Sequence, residues 1–253
     1  MNNQDTDYTR HYLKWHSDKN EHIESMISFY QRMLLPYLPA NRDSNILDVG
    51  CGMGFALLSL QKIGYTHIQG IELDSGQVNS CLKKNLPVEL VTDTIHYLNN
   101  QPDKYDVIIC LDVIEHIPHQ EQLYFVKAIN IALKKAGKLI CTVPNANSTL
   151  ASRWRYIDWT HHISFTEDSL DFLLFNTGFD NINVFETEFF NRPQISLLSA
   201  IVKKSMWKVY LHWWLFRAVR SLRRLEMIAE LGWEQGYKIP LSLNILATAN
   251  KSS

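Results

Sequence analysis

Hydrophobic and polar positions alternate along the chain with two periods, one typical of helices and the other of strands. Residues 21–39 carry apolar side chains at helical spacing and predict a leading helix. Further along, the predicted helices are 55–63, 77–85, 120–135 and 167–176. Short apolar runs predict strands at 45–49, 68–73, 88–91, 105–111, 138–143, 182–189 and 240–249. This alternation predicts an α/β protein whose parallel sheet is covered by helices on both faces.

The sequence predicts one domain that carries an insertion, because it has no internal repeat and no low-complexity linker. We divide it into an N-terminal helical lid segment, a core, a helical insertion rich in basic and aromatic residues, and the final strand of the core. These segments are 1–44, 45–191, 192–238 and 239–253.

Composition and charge exclude several classes of protein. The 253 residues are 46% hydrophobic and 20% charged, with a formal net charge of −1. This composition excludes a disordered chain and gives no overall attraction to nucleic acid. The four cysteines are scattered and mostly lie in apolar or glycine-rich runs, as reduced core thiols do. With no secretory leader pattern and no long apolar run, the sequence predicts a cytoplasmic protein.

The first candidate site is a glycine loop between the first strand and the following helix. Gly50, Gly52 and Gly54 follow Asp48 at alternate positions, a spacing that lets a ligand approach the backbone closely. Glu72 ends the second strand, where a carboxylate can accept hydrogen bonds from a ribose diol. A third acid, Asp93, follows the third strand. The loop alone could be a structural turn, and the later acids favour a site for a ligand with a ribose diol.

The run Ile-Leu-Asp-Val-Gly-Cys-Gly-Met-Gly, with the two later acids and residues 105–116, resembles the class I S-adenosylmethionine-dependent methyltransferases over about residues 45–190. The resemblance implies a seven-stranded Rossmann-like sheet of order 3-2-1-4-5-7-6 with strand 7 antiparallel. It also implies that S-adenosylmethionine is the cofactor. The residues implied to bind it are Asp48, Gly50, Gly52, Gly54, Glu72, Asp93, Cys110 and Leu111. Among these, Glu72 would bind the ribose and Asp93 would face the adenine amine.

The acceptor side of such an enzyme must deprotonate a hydroxyl or hold it beside a metal. Asp112, Glu115 and His116 stand at the end of the fourth strand, and a helical turn there would place them on one face. The motif resembles that of ubiquinone-pathway O-methyltransferases and of small-RNA 2′-O-methyltransferases, in which a later histidine helps bind a divalent ion; here His161 matches it. Three interpretations stay open: a metal site of Asp112, Glu115, His116 and His161, general-base catalysis by His116 or His161, or a structural role.

The identity of the acceptor depends on the loop after residue 143. Its asparagines and arginines, and the Phe-Thr-Glu-Asp run that follows, resemble methyltransferases of bacterial surface-glycan assembly. We therefore expect a sugar hydroxyl of a surface polysaccharide or its precursor. The leading alternative is a quinone-pathway or other small-molecule acceptor, and RNA ranks third. A scaffold that binds the cofactor without turnover is the non-enzymatic alternative.

Two segments outside the core remain. Residues 201–225 contain seven basic residues, three tryptophans and no acid. Their apolar stripe predicts either a helix in an anionic membrane interface or a helix that forms a lid or a homodimer face. The stripe consists of Trp207, Leu211, Trp214, Leu215, Ala218 and Leu222. At the other end of the chain, Tyr8, Tyr12 and Trp15 resemble the aromatic segment that closes over the cofactor in related enzymes.

Overall fold

A computed structural model describes residues 8–187 and 207–252, and it contains one seven-stranded sheet. The strands are β1 (Ile46–Val49), β2 (Ile68–Glu72), β3 (Val88–Leu90), β4 (Tyr105–Leu111), β5 (Leu133–Pro144), β6 (Phe179–Glu186) and β7 (Asn244–Lys251). Their order is β3-β2-β1-β4-β5-β7-β6. Only β7 is antiparallel to its neighbours within this sheet. The predicted topology is confirmed.

Helices cover both faces of the sheet, as predicted. They are α1 (Tyr8–Tyr12), α2 (Asn20–Leu34), α3 (Phe55–Ile63), α4 (Ser75–Lys83), α5 (Thr94–Asn99), α6 (His119–Ala132), α7 (Ala151–Tyr156), α8 (Glu167–Phe175), α9 (Trp207–Leu231) and α10 (Trp233–Lys238). Successive residues of β4 enter different cores: Ile108 packs with Phe125 of α6, and Ile109 with Leu57 of α3. This alternation arises because neighbouring strand side chains point to opposite faces.

The cysteines are core residues. Cys51, Cys81, Cys110 and Cys141 are all buried and unbridged. Burial raises the pKa of Cys141 to about 12 and that of Cys110 well above its usual range. The thiols of Cys110 and Cys141 are therefore protonated at neutral pH, and the prediction that the cysteines lie in the core is confirmed.

The boundary between α6 and β5 differs from the prediction. The helix predicted over 120–135 ends at Ala132, and β5 begins at Leu133 rather than at residue 138. Leu133 pairs with Tyr105 of β4, and the Lys134 ammonium lies 2.7 Å from the Asp106 carboxylate. Ala136 then takes a left-handed conformation, with φ of +58°. Pairing with β4 thus overrides the helical spacing of the apolar residues.

Other elements also differ from the prediction: the leading helix predicted over 21–39 is α2, which ends at Leu34. Helix α5 was not predicted, because it spans only Thr94–Asn99 and has no long apolar face. The predicted strand 182–189 begins earlier, at Phe179, and its last two residues lie outside the described part of the chain. The final strand begins at Asn244 rather than residue 240, because the amide of Leu241 donates to the Glu186 carboxylate instead of to a strand.

The insertion is helical where the structure describes it. Helix α9 spans 25 residues and α10 follows after Gly232. Residues 188–206, which include the first part of the predicted insertion, lie outside the described part of the chain. Within the residues described, no helix combines the length and the hydropathy needed to span a bilayer.

Candidate active site

The glycine loop leaves the carboxyl end of β1 in a conformation that requires glycine. Gly50, Gly52 and Gly54 have φ values of +69°, +55° and +80°. These values lie in the left-handed region, where a side chain would be strained. A Cβ atom added to Gly50 would lie 2.6 Å from a methyl carbon of Val113. Val113 belongs to the segment after β4, so the glycine loop and the acceptor motif are in direct contact.

Asp48 and Glu72 flank this loop. The Asp48 carboxyl is buried, and its Oδ2 atom has no hydrogen-bond partner among the described residues. Burial, and secondarily the charge of Glu72, raise the pKa of Asp48 to about 7. The Glu72 carboxylate accepts hydrogen bonds from the amides of Gly52, Leu73 and Asp74, at 2.9, 2.8 and 2.9 Å. A buried acceptor without a partner among the described residues, beside the glycine loop, suits a ligand with hydroxyl donors and positive charge.

The other predicted cofactor residues have different surroundings. Asp93 is exposed, and its Oδ1 atom accepts a hydrogen bond from the amide of His96, so that it caps α5. Cys110 is fully buried in the core and Leu111 only partly, at the end of β4. The Cys110 thiol cannot reach a ligand outside the core, so only its backbone is available for the predicted contact. The roles assigned to these three residues stay predictions.

Helix α1 lies across the glycine loop. A Cβ atom added to Gly52 would lie 2.9 Å from the Tyr12 hydroxyl oxygen. The Thr9 hydroxyl donates a hydrogen bond to the carboxylate of Asp74. On the same helix, the His11 Nε2 atom lies 3.2 Å from the Asp158 carboxylate on the acceptor side. The sequence pointed to Tyr12 but not to Thr9 or His11, because α1 is too short to show a pattern. Helix α1 therefore contacts both halves of the site.

Three residues of the acceptor motif come together. A 3-10 turn over Ile114–His116 presents Glu115 and His116 to His161. Each offers one ligand atom, and these atoms lie within 4.8 Å of one another. The two imidazole rings are 4.6 Å apart between centroids. Glu115 is fully buried, and neither carboxyl oxygen has a hydrogen-bond partner among the described residues. Such a group is costly unless a cation or a proton neutralises it.

Asp112 is not part of this group, contrary to the prediction of a four-residue metal site. Its backbone is left-handed, with φ of +55°, and the turn begins only at Ile114. Its carboxylate accepts hydrogen bonds from the Thr142 hydroxyl at 2.9 Å and from the Asn244 amide at 2.7 Å. Asp112 and Glu115 therefore do not share one helical face. Asp112 joins the ends of β4, β5 and β7.

Hydrogen bonds around the two histidines fix their tautomers. The Thr160 hydroxyl lies 2.7 Å from the Asp158 carboxylate and 2.7 Å from His116 Nδ1. Because a carboxylate only accepts, the hydroxyl proton points to Asp158, and His116 Nδ1 must donate to the hydroxyl oxygen. His161 Nδ1 likewise donates to the carbonyl oxygen of Trp154, at 3.1 Å. Both Nε2 atoms consequently carry lone pairs.

Burial favours the uncharged forms of Glu115, His116 and His161 when no cation is bound. Burial, and secondarily His161, lower the pKa of His116 to about 4, and burial lowers the pKa of His161. Burial also raises the pKa of Glu115 well above its usual range. Neutral imidazoles and an otherwise unpartnered carboxylate are the donors that a divalent transition ion or Mg²⁺ accepts.

The comparisons with known proteins agree with this geometry. A family model described as a methyltransferase domain matches residues 4–184. Curated relatives are ubiquinone biosynthesis O-methyltransferases, from Proteus mirabilis, 28% identical over 108 residues, and from Rickettsia bellii, 31% identical over 111 residues. The match to the Proteus protein covers 40% of this chain and 42% of that protein. The match to the Rickettsia protein covers 42% of this chain and 44% of that protein. The matched stretch therefore spans less than half the length of these relatives.

Solved structures show the same fold. A SAM-dependent methyltransferase from Archaeoglobus fulgidus has a TM-score of 0.64 at 18% identity, covering 97% of this chain and all of that one. Phosphoethanolamine N-methyltransferase 2 from Haemonchus contortus, in complex with S-adenosyl-L-methionine, has a TM-score of 0.57 at 17% identity, covering 96% of this chain and 60% of that one. With the family model matching most of the chain, this protein belongs to the methyltransferase-domain family, and its fold is that of S-adenosylmethionine-dependent methyltransferases.

Proposed function

We propose that this protein is an O-methyltransferase that methylates a hydroxyl of a small-molecule acceptor of the quinone-pathway type. The observation that carries the proposal is the cluster of Glu115, His116 and His161 beside the glycine loop, in which each imidazole donates through Nδ1 and presents Nε2 as its acceptor nitrogen. The contact between Val113 and Gly50 joins the two halves of the site. Attack by a hydroxyl needs a proton acceptor or a cation at this position.

The cofactor-binding side fits S-adenosylmethionine, which supplies the methyl group when bound. The Oδ2 atom of Asp48, which has no partner among the described residues, suits a cationic ligand, and the left-handed glycines keep side chains out of the loop. Glu72 holds the loop through the Gly52 amide, and its position at the end of β2 suits a ribose diol. Helix α1 covers this side through Tyr12. These residues bind and orient the methyl donor and limit the access of water.

On the acceptor side, we propose that Glu115, His116 and His161 hold a divalent cation. Such an ion would supply Lewis-acid stabilisation of the developing oxyanion. Two features of the chain support a metal over a histidine base. Glu115 is buried without a hydrogen-bond partner among the described residues, and a histidine whose pKa lies near 4 is a weak base at neutral pH. The hydrogen bonds that the imidazoles donate to the Thr160 hydroxyl and to the Trp154 carbonyl oxygen orient the two rings.

The choice of acceptor follows the comparisons rather than our first expectation. The relatives reported above are named for ubiquinone biosynthesis, whereas a sugar hydroxyl of a surface polysaccharide has no support from them. One of the arginines that suggested a glycan has another partner: Arg155 donates to the carbonyl oxygen of His162 at 2.7 Å, which holds the loop that carries His161. The small-molecule acceptor, first an alternative, is therefore our proposal.

The test is methyl transfer from isotopically labelled S-adenosylmethionine to a panel of acceptors. The panel contains dihydroxybenzoates with and without a prenyl chain, free hexoses and nucleotide-linked hexoses. We expect label on a phenolic oxygen and none on the sugars. Label on a hexose would restore the glycan acceptor. Tight binding of S-adenosylhomocysteine with no transfer to any acceptor would favour a cofactor-binding scaffold.

A further inference from the structure

We propose that the outward face of α9 binds the surface of an anionic membrane. The face consists of the apolar stripe predicted from the sequence, and the structure turns that stripe away from the core. Trp214, Leu215 and Leu222 expose 58%, 55% and 66% of their surface, and Trp207, Leu211, Ala218 and Leu225 are exposed beside them. A continuous exposed face of tryptophan and leucine is unusual on a soluble protein and marks a binding surface.

The opposite face attaches the helix to the core. Tyr210 is buried, and Arg220 makes an ion pair with Glu186 at 2.9 Å. Arg224 donates to the carbonyl oxygens of Gly236 and Ile239, at 2.8 and 2.6 Å. The helix is thus held in one rotation about its axis. The exposure of the stripe follows from these contacts.

Charge favours an anionic lipid surface over a second copy of the chain. Between Trp207 and Leu225 there is no acidic residue, and Lys208 and Arg217 are exposed on either flank of the stripe. In a symmetric dimer formed through this face, the cations would find carboxylates of α9 only at Glu226 and Glu230, near the end of the helix. Anionic lipids satisfy both the cations and the tryptophans, which prefer the headgroup region.

The position of α9 connects this surface to the acceptor side. Arg223 Nε donates to the carbonyl oxygen of Asn147 at 3.2 Å, at the start of the loop that leads to His161. In the same region, the Trp154 indole donates to the side chain of Asn244, which in turn donates to Asp112. If the proposed function holds, a docked α9 would keep the acceptor loop near the membrane, where an acceptor with a lipid tail resides. The binding itself does not depend on that function.

The test is sedimentation with phosphatidylcholine vesicles and with vesicles that contain equal parts of phosphatidylcholine and phosphatidylglycerol. The stripe variant is Leu215→Glu with Leu222→Glu. Its matched control, Leu82→Glu with Leu123→Glu, changes two helical leucines of similar exposure, 52% and 48%, on other helices. Circular dichroism and thermal melting check that each variant folds, and light scattering gives its oligomeric state.

We expect the parent and the control to sediment with the anionic vesicles and the stripe variant to partition about tenfold or more weakly. Binding should weaken as salt increases, because exposed cations contribute. A parent protein that stays in solution with both vesicles would overturn the proposal. If the parent were a dimer that did not bind vesicles, and only the stripe variant were monomeric, the face would instead bind a second copy of the chain. Equal loss in the control variant would also overturn it.

Discussion

At the residue scale, the acceptor site depends on which nitrogen of each histidine carries its proton. Thr160 and Asp158 set the tautomer of His116, and the carbonyl oxygen of Trp154 sets that of His161. Both Nε2 atoms therefore accept rather than donate. Asp158 also binds His11 of α1 at 3.2 Å, so that the support of His116 extends to the N-terminal helix. Residues that touch neither cofactor nor acceptor thus decide the chemistry of those that do.

Replacing Thr160 tests this support. Thr160→Val keeps the shape of the side chain but removes the acceptor for His116 Nδ1, so that the imidazole is free to turn or to change tautomer. We expect methyl transfer to fall about 10- to 100-fold, with the affinity for S-adenosylhomocysteine unchanged. Thr160→Ser retains the hydroxyl and should recover most of the activity. Steady-state kinetics and calorimetry of the two variants measure these effects, and equal loss in both would contradict the assignment.

The sequence placed most of the site residues but not their partners. Glu115, His116 and His161 were selected by motif, and the structure brings them together. Asp112 was assigned to the same group because a helical turn was expected to include it. Its left-handed backbone and its bonds to Thr142 and Asn244 come from strands that meet only in the fold. Thr142 and Asn244 are 30 and 132 positions away from Asp112 in the sequence, so no local sequence pattern predicts these hydrogen bonds.

At the element scale, strand pairing decides where helices end. The α6–β5 junction was misplaced because residues 133–135 continue a helical pattern, yet Leu133 pairs with Tyr105. The turn that follows requires a left-handed residue, and Ala136 occupies it with φ of +58°. Local periodicity is reliable inside long elements, and it fails where a neighbouring strand competes for the same backbone.

Ala136 gives a direct test of this junction. Ala136→Gly removes the clash of Cβ in the left-handed region, and we expect it to stabilise the protein by about 0.5–1 kcal/mol. The matched control is Ala229→Gly, which lies on the exposed surface of α9 and should destabilise that helix by about 1 kcal/mol. Chemical denaturation measures both. If Ala136→Gly destabilised the protein as much as the control does, the left-handed conformation assigned to Ala136 would be contradicted.

At the scale of the whole molecule, the cofactor half and the acceptor half meet at the carboxyl ends of the parallel strands. Asp48 is the penultimate residue of β1, Glu72 ends β2, and the acceptor turn follows β4. This is the edge at which open α/β sheets bind their ligands. The strand order was predictable only through the family resemblance that these motifs carry. The outward direction of the α9 stripe was not, since the same spacing describes a buried face and an exposed one.

Buried carboxyl groups make the stability of the cofactor-free protein depend on pH. In the folded state, the pKa of Asp48 rises from 3.8 to about 7 and that of Asp112 from 3.8 to about 6. Between the unfolded pKa and the folded pKa of each carboxyl, the folded state binds more protons than the unfolded state. These two groups therefore lower the free energy of unfolding as pH rises through this range. We expect the denaturation midpoint of Asp48→Asn, relative to the parent, to increase from pH 4 to pH 7. A constant difference over this range would contradict the buried position of Asp48.

The most direct test of the account is calorimetric titration of S-adenosylhomocysteine and, separately, of Mn²⁺ into the EDTA-treated protein. The variants are His161→Ala and Gly52→Arg. We predict that the parent binds both, that His161→Ala loses Mn²⁺ but keeps S-adenosylhomocysteine, and that Gly52→Arg, whose side chain would fill the space against Tyr12, loses S-adenosylhomocysteine but keeps Mn²⁺. If both variants folded but each lost both ligands, the cofactor site and the metal site would not be separate. If the parent did not bind Mn²⁺, the acceptor group would not be a metal site.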